Sequence, residues 1–347
     1  MLSETAQNDT QPRDLLGRPI RDLRISVTDR CNFRCTYCMP FDEYPWIPAA
    51  QVLTFDEIAR LVRAFVALGV DKIRLTGGEP LLRPGLEGLV KRLAAIEGLD
   101  ELCLTTNGSL LAQKAEPLKA AGLNRINISL DTLDPEKFRR IRRRGDLQQV
   151  LDGLFAARAA GLEPIKINAV MQRGVNDDDI IPLVEFSREH GFALRFIEYM
   201  DVGNANEWRP DRVVSKREIL ETINARYPLV EIGRHRGSAP AVDYTFADGG
   251  GDVGVIASIT EPFCSSCTRA RLTADGQLVT CLFATGGNDL KGPLRNGASD
   301  NELREAIASL WSRRADRYSD TRLIAMGSGS GYQARDHAKI EMITLGG

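Results

Sequence analysis

The sequence predicts an α/β fold in which a parallel sheet curls into a complete or partial barrel. The first observation is that six short β-rich runs alternate with amphipathic segments over the N-terminal part of the chain, which is typical of a parallel sheet. The second is that three closely spaced cysteines directly follow the first β-rich run. Barrels with right-handed crossovers bind ligands at the carboxyl ends of their strands, so the cysteines stand where such a fold has its site.

The strands and helices follow one another in a regular order. The predicted strands are Leu23–Val27, Lys72–Leu75, Leu102–Thr105, Arg125–Leu130, Ile165–Val170 and Ala193–Ile197. The predicted helices are Phe55–Leu68, Leu86–Ile96, Leu110–Ala121, Leu147–Ala160 and Ile180–His190. Beyond about Val202 the alternation ends and Gly and Pro become frequent, with short strands such as Val253–Ile259 and a helix near Glu302–Ala315. We therefore expect a disordered tail over 1–17, a barrel domain over 18–201 and a C-terminal region over 202–347.

The composition indicates a soluble cytoplasmic enzyme. The chain has 347 residues, 43% of them hydrophobic, which is enough for one large domain or for one domain with a smaller companion. Lys and Arg number 45 against 47 Asp and Glu, so any anionic ligand must be held by local basic residues. No run approaches the roughly 20 apolar residues that span a bilayer. Seven cysteines without a signal peptide indicate a reducing compartment.

The first cysteine triad is Cys31, Cys35 and Cys38, at spacings of four and three residues with no other ligand type beside it. A structural zinc site needs four protein ligands, and the three histidines of the chain are far away in sequence. Three thiolates suit a [4Fe-4S] cubane whose fourth iron stays open to a small ligand. The alternative, a chance group of buried cysteines, does not explain the flanking sequence.

That flanking sequence, from Thr28 to Cys38, resembles the signature of radical S-adenosylmethionine (SAM) enzymes. In that superfamily, methionine atoms of SAM occupy the open iron of the cluster. The resemblance implies that Tyr37, the aromatic residue before the last cysteine, lies near the adenine of SAM.

Three other segments become predicted SAM contacts through the same resemblance. Gly78 and Glu79 belong to a Gly-Gly-Glu-Pro run after the second strand; glycine permits close backbone approach, and a carboxylate can accept from an ammonium group. Alone, this run would be interpreted as a plain turn, but it matches the superfamily element that binds the SAM amino group. Ser129 is expected to hold the methionyl carboxylate or the ribose, and Met200 to pack on the adenosine.

A second triad consists of Cys264, Cys267 and Cys281. Alone, this set would leave zinc, completed by a distant residue, as a serious competitor. Beside the first triad, a second cluster with an open iron is favoured. The seventh cysteine, Cys103, lies in an apolar run and is expected to be a small core residue.

The sequence around the second triad, from Cys264 to Leu282, closely resembles the GTP 3',8-cyclase (MoaA) family, which begins molybdenum cofactor synthesis. The resemblance covers the chain from about Gly17 to Gly347. It implies a partial (βα)6 TIM-type barrel, with a smaller C-terminal α+β region that carries the second cluster across the barrel mouth.

Basic residues alternate on two predicted strands. Lys72 and Arg74 are two residues apart, as are Arg269 and Arg271, so each pair projects from one face of its strand. Arginine forms bidentate hydrogen bonds to phosphate oxygens and lysine supplies a point charge, so converging pairs suit a triphosphate.

The resemblance adds further expected GTP contacts. The family uses basic residues at the positions of Arg24, Lys166 and Arg195, and Thr105 matches a family position that contacts the nucleotide. By contrast, we expect the runs Arg139–Arg144 and Arg313–Arg317 to be solvated. The Arg139–Arg144 run does not indicate nucleic acid, because it lacks interleaved aromatic residues and the overall charge is not basic.

The resemblance implies a radical SAM lyase with two [4Fe-4S] clusters and SAM. A 5'-deoxyadenosyl radical takes hydrogen from C3' of GTP, and C3' then bonds to C8, which gives (8S)-3',8-cyclo-7,8-dihydroguanosine 5'-triphosphate. The second cluster binds the purine, with Arg269 and Arg271 beside it in catalytic positions. Implied partners are an electron donor such as flavodoxin or ferredoxin and a downstream cyclic pyranopterin monophosphate synthase. A homodimer stays open, and no nucleic-acid or membrane partner is expected.

The chain ends in Gly346-Gly347. Most such pairs are frayed ends, but in this family the matching tail reaches into the active site and assists catalysis. A ubiquitin-like tail is a second alternative, although the chain lacks a small β-grasp pattern.

Two other function classes remain open. Another radical SAM enzyme, such as a peptide maturase, would share the first triad but usually has a more cysteine-rich C-terminal region. A non-enzymatic Fe-S or zinc module would need neither the Gly-Gly-Glu-Pro run nor two open triads.

Overall fold

The computed structural model describes residues 11–328, 332 and 339–346, and its strands form one sheet. The strands are β1 (Asp22–Ser26), β2 (Lys72–Thr76), β3 (Glu101–Thr106), β4 (Arg125–Ser129), β5 (Lys166–Met171), β6 (Ala193–Glu198), β7 (Leu229–Gly233), β8 (Val242–Phe246), β9 (Asp252–Ile256), β10 (Arg269–Leu272), β11 (Gln277–Val279) and β12 (Asn288–Asp289). Their order is β12-β11-β10-β1-β2-β3-β4-β5-β6-β9-β8-β7. The strand order ends at two separate edges, so the sheet is open, as in a partial barrel.

The first six strands are parallel and pair in chain order. Strand β10 continues the parallel arrangement beside β1, and β9 does the same beside β6. The C-terminal region therefore extends the barrel sheet at both ends, and the remaining strands add antiparallel edges. The sequence did not predict this continuation, because strand pairing between distant segments leaves no local pattern.

The helices are α1 (Phe55–Ala67), α2 (Leu86–Ala94), α3 (Leu111–Ala120), α4 (Pro135–Arg142), α5 (Leu147–Ala159), α6 (Ile180–His190), α7 (Lys216–Asn224), α8 (Lys291–Arg295), α9 (Asp300–Ser312), α10 (Tyr318–Gly327) and α11 (Met342–Leu345). Helix α1 illustrates how they pack, since Ile58, Leu61, Val62 and Phe65 repeat at helical spacing and are all buried. Its first turn is closed by a capping box between Thr54 and Glu57. In the described ranges, no helix combines the length and the apolar character needed to cross a membrane.

The predicted α/β fold is confirmed, and each of the six predicted strands and five predicted helices forms within two residues of its expected ends. Helix α4 is additional, so the connection from β4 to β5 contains two helices. Cys103 is fully buried in β3, as the sequence predicted.

The predicted disordered tail over 1–17 is wrong for residues 11–17. Asp14 is buried, and its carboxylate forms ion pairs with Arg18 at 2.6 Å and Arg314 at 3.0 Å. The backbone N–H of Leu15 also donates to the carbonyl of Arg314 at 3.1 Å. The expectation that Arg314 is solvated is wrong for the same reason, since its charge is neutralised by a buried partner.

Candidate active site

The sheet encloses a cavity of 560 Å³ that gathers most of the predicted site. Both cysteine triads line it, and so do the following residues: Arg24, Tyr37, Lys72, Arg74, Gly78, Thr105, Ser129, Lys166, Arg195, Met200, Arg269, Arg271 and Gly346. Glu79 is fully buried and is not one of the residues that line the cavity. Gly347 lies outside the described residues, so its predicted role stays a prediction.

The loop after β1 presents the first triad to the cavity. Backbone hydrogen bonds from Arg34 to the carbonyl of Arg142 and from Thr36 to that of Ile141, both 3.0 Å, attach the loop to the end of α4. Cys35 is buried, whereas its two companion thiols are half-buried. The end of one helix thus sets the position of the loop.

Arg142 is the main residue of this site that the sequence interpretation missed. It is buried, and its guanidinium donates to Cys35 Sγ at 3.0 Å and to the hydroxyl of Tyr37 at 2.9 Å. It also forms an ion pair with Asp131 at 3.0 Å, and the Tyr37 hydroxyl donates to the same carboxylate at 2.8 Å. The prediction that Arg142 is solvated is therefore wrong. A signal was available, because Phe138 lies four residues earlier and shares the buried face of α4.

The acid–base properties of the first triad fit a cationic metal cluster. Burial, with contributions from Glu79 and Cys35, raises the pKa of Cys31 to about 12. Burial also raises the pKa of Cys35, and it raises that of Cys38 well above the ordinary value. Three thiolates close to one another need a positive group to stabilise them, and an iron–sulfur cluster bound through cysteine supplies it. Within 11–328, 332 and 339–346, no three His, Cys, Asp or Glu side chains form a group suited to a single metal ion.

The Gly-Gly-Glu-Pro run supports the cysteine loop from behind. A Cβ at Gly77 or Gly78 would lie 2.3 Å from the carbonyl oxygen of Thr28 or Arg30, so side chains are excluded by the backbone that leads into the first triad. The backbone N–H groups of Gly78 and Glu79 donate to these same carbonyls at 2.8 Å. The glycines therefore allow two loops to pack together.

Glu79 is fully buried and already hydrogen-bonded. Its carboxylate accepts from Thr106 Oγ1 and the Asn107 N–H at 2.7 Å, and from the Leu81 N–H at 3.0 Å. Burial raises the pKa of Glu79 to about 7 despite these bonds. Its predicted contact with the SAM amino group stays a prediction, and in this structure Glu79 orders the strand ends around the first triad.

The second triad also lines the cavity, with Cys264 and Cys267 before β10 and Cys281 after β11. Arg269 donates to Cys267 Sγ from Nε at 3.3 Å and from Nη2 at 3.1 Å. Burial alone would raise the pKa of Cys267, but the positive charges of Arg269 and Arg314 outweigh it and lower the pKa to about 6. Cys281 differs, because burial and Asp316 raise its pKa to about 11. The set thus holds one thiolate prepared for metal binding and one buried thiol that needs added positive charge.

Two buried arginines fix the turn that carries Cys264 and Cys267. Arg18 donates to the carbonyl of Cys264 at 2.6 Å, and Arg314 donates to that of Cys267 at 2.9 Å. Both guanidiniums also pair with Asp14. The segment that was predicted to be a disordered tail is therefore part of the support for the second triad.

An uninterrupted row of arginines crosses three neighbouring strands of the cavity wall. In register, Arg24 of β1 lies between Arg271 of β10 and Arg74 of β2. Burial, followed by the charges of Arg271 and Arg74, lowers the pKa of Arg24 well below its ordinary value. Burial and Arg269 lower the pKa of Arg271 to about 10, and its Nε has no hydrogen-bond partner in the described part of the chain. Such a row calls for an anionic ligand with several negative charges.

A second cationic group lies on β5 and β6. Burial, then Arg195 and Arg125, lowers the pKa of Lys166 from 10.5 to about 7. Burial lowers the pKa of Arg195 to about 10, even though Asp243 lies 3.8 Å away. Lys72, by contrast, forms a close ion pair with Glu101 at 2.8 Å. Positive charge is therefore only partly balanced along this side of the cavity.

The C-terminal segment reaches the ends of β1 and β2. Ser26 Oγ donates to the carbonyl of Thr344 at 2.9 Å. Gly346 has a φ of 71°, and a Cβ on it would lie 2.3 Å from Thr76 Cγ2. Glycine is required here both by the positive φ and by the lack of space.

Comparison with known proteins identifies the family. Residues 25–187 match the model of the radical SAM superfamily, and residues 192–320 match the model named Molybdenum Cofactor Synthesis C. A GTP 3',8-cyclase from Xanthomonas axonopodis pv. citri is 50% identical over 339 residues, which cover 96% of this chain and 98% of that protein. The chain belongs to the GTP 3',8-cyclase family. Relatives of the same name from Acidothermus cellulolyticus and Staphylococcus haemolyticus are 49% and 44% identical, and each alignment covers 97% of this chain and 100% or 99% of the relative.

Solved structures confirm the radical SAM fold. Streptococcus suis SuiB bound to S-adenosylmethionine gives a TM-score of 0.59 at 16% identity, over 87% of this chain and 68% of SuiB. Native anSMEcpe with bound AdoMet gives 0.54 at 18% identity, over 82% and 80% of the two chains. At these identities the likeness concerns the fold alone. The resemblance found in the Cys31 motif is confirmed for the family by the superfamily match over residues 25–187 and by the relatives, and for the fold by these structures.

Proposed function

We propose that this chain is a GTP 3',8-cyclase that binds SAM and GTP in the cavity lined by both cysteine triads and joins C3' of GTP to C8. The observation that carries the proposal is that two three-cysteine sets and a row of arginines line the same cavity. A radical enzyme of this type needs a place for SAM, a place for a triphosphate and water exclusion between them. Family membership supports the choice of substrate, and the cysteine triads and the arginine row along one cavity support the choice of binding places for SAM and the triphosphate.

SAM binds at the first triad in this proposal. Cys31, Cys35 and Cys38 hold a [4Fe-4S] cluster, which when bound and reduced supplies the electron that cleaves SAM to methionine and a 5'-deoxyadenosyl radical. Tyr37, Gly78, Ser129 and Met200 line the wall beside it and bind the remainder of SAM. The Tyr37 hydroxyl is held by Asp131 and Arg142, so its ring has a fixed orientation.

GTP binds with its triphosphate against the arginine row. Arg24, Arg74 and Arg271 donate charge-assisted hydrogen bonds to the phosphates. The negative charge of the phosphates reduces the repulsion between the three guanidinium groups. Lys166, Arg195, Lys72 and Thr105 complete the wall around the nucleotide. Binding energy from the triphosphate thereby positions the ribose, which lies remote from the charges.

The second triad holds the purine end, and Arg269 and Arg271 hold phosphate or ribose beside it. Cys264, Cys267 and Cys281 would hold a second [4Fe-4S] cluster, which would supply a binding point for the base. Arg269 keeps Cys267 deprotonated through its two hydrogen bonds, which favours metal binding. Fixing base and ribose in a near-attack geometry is worth about 7–11 kcal/mol in favourable cases.

The proposed reaction consumes one SAM, two electrons and one proton for each GTP. One electron enters with SAM cleavage, and the hydrogen atom of C3' moves to the deoxyadenosyl carbon to give 5'-deoxyadenosine. The C3' radical forms a bond to C8, and the product radical takes up one electron and one proton. Gly346 lines the cavity on the approach to the nucleotide, and only glycine fits beside Thr76. The catalytic role of Gly347 stays a prediction. We further propose a flavodoxin or ferredoxin as electron donor, a cyclic pyranopterin monophosphate synthase as the next enzyme, a homodimer and a cytoplasmic location.

A variant without the second triad tests this proposal. Anaerobically reconstituted wild type should contain about eight irons and eight sulfides per chain, from two cubanes. Replacing Cys264, Cys267 and Cys281 by alanine should leave about four of each, with SAM cleavage retained and GTP cyclisation lost. Cys103→Ala serves as the control, because Cys103 is a buried thiol in β3 that belongs to neither triad. Stoichiometric zinc and a single cluster in the wild type would contradict the proposal.

A further inference from the structure

One buried carboxylate, Asp201, holds the C-terminal segment that leads to Gly346. Asp201 follows Met200 just beyond β6, and its side chain is fully buried. Four side chains from the last part of the chain donate to it. They are Arg322, Lys339 at 2.8 Å, Tyr318 at 2.6 Å and Tyr332 at 2.5 Å.

The backbone of the C-terminal segment is fixed beside this carboxylate. Lys339 Nζ also donates to the carbonyl of Asp201 at 2.7 Å. Asn204, three residues later, accepts from the Lys339 N–H at 2.9 Å and donates to the Lys339 carbonyl at 2.6 Å. The Ile340 N–H donates to the carbonyl of Ala284 at 3.0 Å. The segment therefore enters the cavity from a point fixed on both sides.

The same contacts connect Asp201 to the second triad. Phe283, two residues after Cys281, stacks on Tyr318 with ring centroids 4.5 Å apart. The Arg322 guanidinium lies 5.1 Å from the centre of the Phe283 ring, and Lys339 Nζ lies 4.9 Å from that of Tyr318. Asp201 thus lies between the end of β6, the loop of the second triad and the C-terminal segment.

The charges at this point depend on the carboxylate. Burial would raise the pKa of Asp201, but Arg322 and Lys339 outweigh it and lower the pKa to about 2. Both cations have fully buried side chains. Without the carboxylate, two positive charges would face each other away from water, which is strongly unfavourable. The repulsion between Lys339 and Arg322 is relieved if the Lys339 side chain moves into solvent, and the backbone segment attached to it would then move as well.

We propose that Asp201 is a positioning residue for cyclisation, because it keeps the segment 339–346 against the cavity and Gly346 beside the nucleotide. The role in catalysis rests on the proposed cyclase function. The structural role does not, since it follows from contacts within the chain.

Hydrogen exchange tests the structural role on the anaerobically reconstituted full-length protein without GTP. In Asp201→Asn, amide exchange in 339–346 should become at least about tenfold faster, because bonds to a charged group are lost. Asp179→Asn is the matched control, since Asp179 is another buried carboxylate paired with a lysine, Lys137 at 3.0 Å. It should leave exchange in 339–346 unchanged.

Tyr332→Phe provides a milder variant in case Asp201→Asn does not fold. It removes one hydroxyl from the carboxylate, and its exchange in 339–346 should lie between those of wild type and Asp201→Asn. Unchanged exchange in 339–346 in the variants that fold would overturn the proposal.

Product analysis tests the role in catalysis. The ratio of cyclised nucleotide to 5'-deoxyadenosine should fall at least about tenfold in Asp201→Asn and stay at the wild-type value in Asp179→Asn. Faster exchange with an unchanged ratio would overturn the positioning role. If wild type itself failed to cyclise GTP, the proposed function would fall, while the exchange comparison would still decide whether Asp201 holds the segment.

Discussion

Replacing Lys166 with methionine should make the ligand-free protein more stable and weaken its binding of GTP. Lys166 begins β5 on the cavity wall, where burial, Arg195 and Arg125 lower its pKa from 10.5 to about 7. A change of this size corresponds to about 5 kcal/mol of unfavourable free energy for the charged form. The side chain is partly exposed, and solvent screening reduces the expected gain to about 1–3 kcal/mol.

The gain in stability from Lys166→Met should decrease as the pH rises. From about pH 7 to about pH 10 the unfolded chain keeps Lys166 protonated, whereas the folded protein loses this proton. The unfolded state binds more protons in this range, so wild-type stability rises with pH. The advantage of Lys166→Met should therefore be complete below about pH 7 and should vanish as the pH approaches 10.

The same substitution should weaken the binding of GTP. One lost charge-assisted contact corresponds to about 1.5–3 kcal/mol, which is about 10- to 150-fold in Kd. Urea unfolding followed by tryptophan fluorescence measures stability at pH 6.5 and pH 9.5, and calorimetric titration measures GTP affinity. Lys91→Met on the exposed face of α2 is the control and should change neither quantity. A Lys166→Met protein that is less stable than wild type at pH 6.5, or that binds GTP equally well, would refute the reasoning.

Two further substitutions test other parts of the site. Arg142→Met removes the donor to Cys35 Sγ, and since such hydrogen bonds tune cluster potentials, the midpoint potential of the first cluster should become more negative and SAM cleavage slower. The exposed Arg140→Met on the same helix should leave both unchanged in potentiometry and turnover assays. Gly346→Ala should lower the yield of cyclised nucleotide per 5'-deoxyadenosine at least about tenfold, because the position has no space for a Cβ. Gly297→Ala also has positive φ, at 88°, but meets nothing within 4 Å, so an equal loss in both variants would show that backbone strain alone is responsible.

The sequence predicted the parts of this protein that repeat locally. Alternating β-rich and amphipathic runs placed the six parallel strands, because burial on a sheet or helix imposes a short period on the side chains. The two cysteine sets were visible for a related reason, since the first lies within one loop and the second is interrupted only by the short strands β10 and β11, so the ligands of each set are close in sequence. The row of arginines was only partly visible. Two basic residues on one strand can be recognised because alternate residues point to the same face. Arg24 and Arg271 are neighbours only because β1 pairs with β10, and the local sequence does not show this pairing.

Contacts between distant segments account for what the sequence interpretation missed. Arg314 was expected to be solvated, yet its buried partner Asp14 stands 300 positions earlier in the chain. Arg142 lies in a run of arginines in which only the helical face distinguishes a buried member from exposed ones. Glu79 was recognised as part of a motif, but its orientation depends on Thr106 and Asn107, which donate to it from the next strand end.

If SAM and GTP react within one cavity, deuterium placed at C3' of GTP should move to the deoxyadenosyl carbon. Anaerobic turnover of the reconstituted protein with SAM, a reductant and this substrate should give a 3',8-cyclised nucleotide and 5'-deoxyadenosine that contains one deuterium per molecule. This outcome requires the deoxyadenosyl carbon and C3' of GTP to meet directly in the cavity. Formation of 5'-deoxyadenosine without deuterium, and with no cyclised nucleotide, would show that the deoxyadenosyl radical does not react with C3' of GTP.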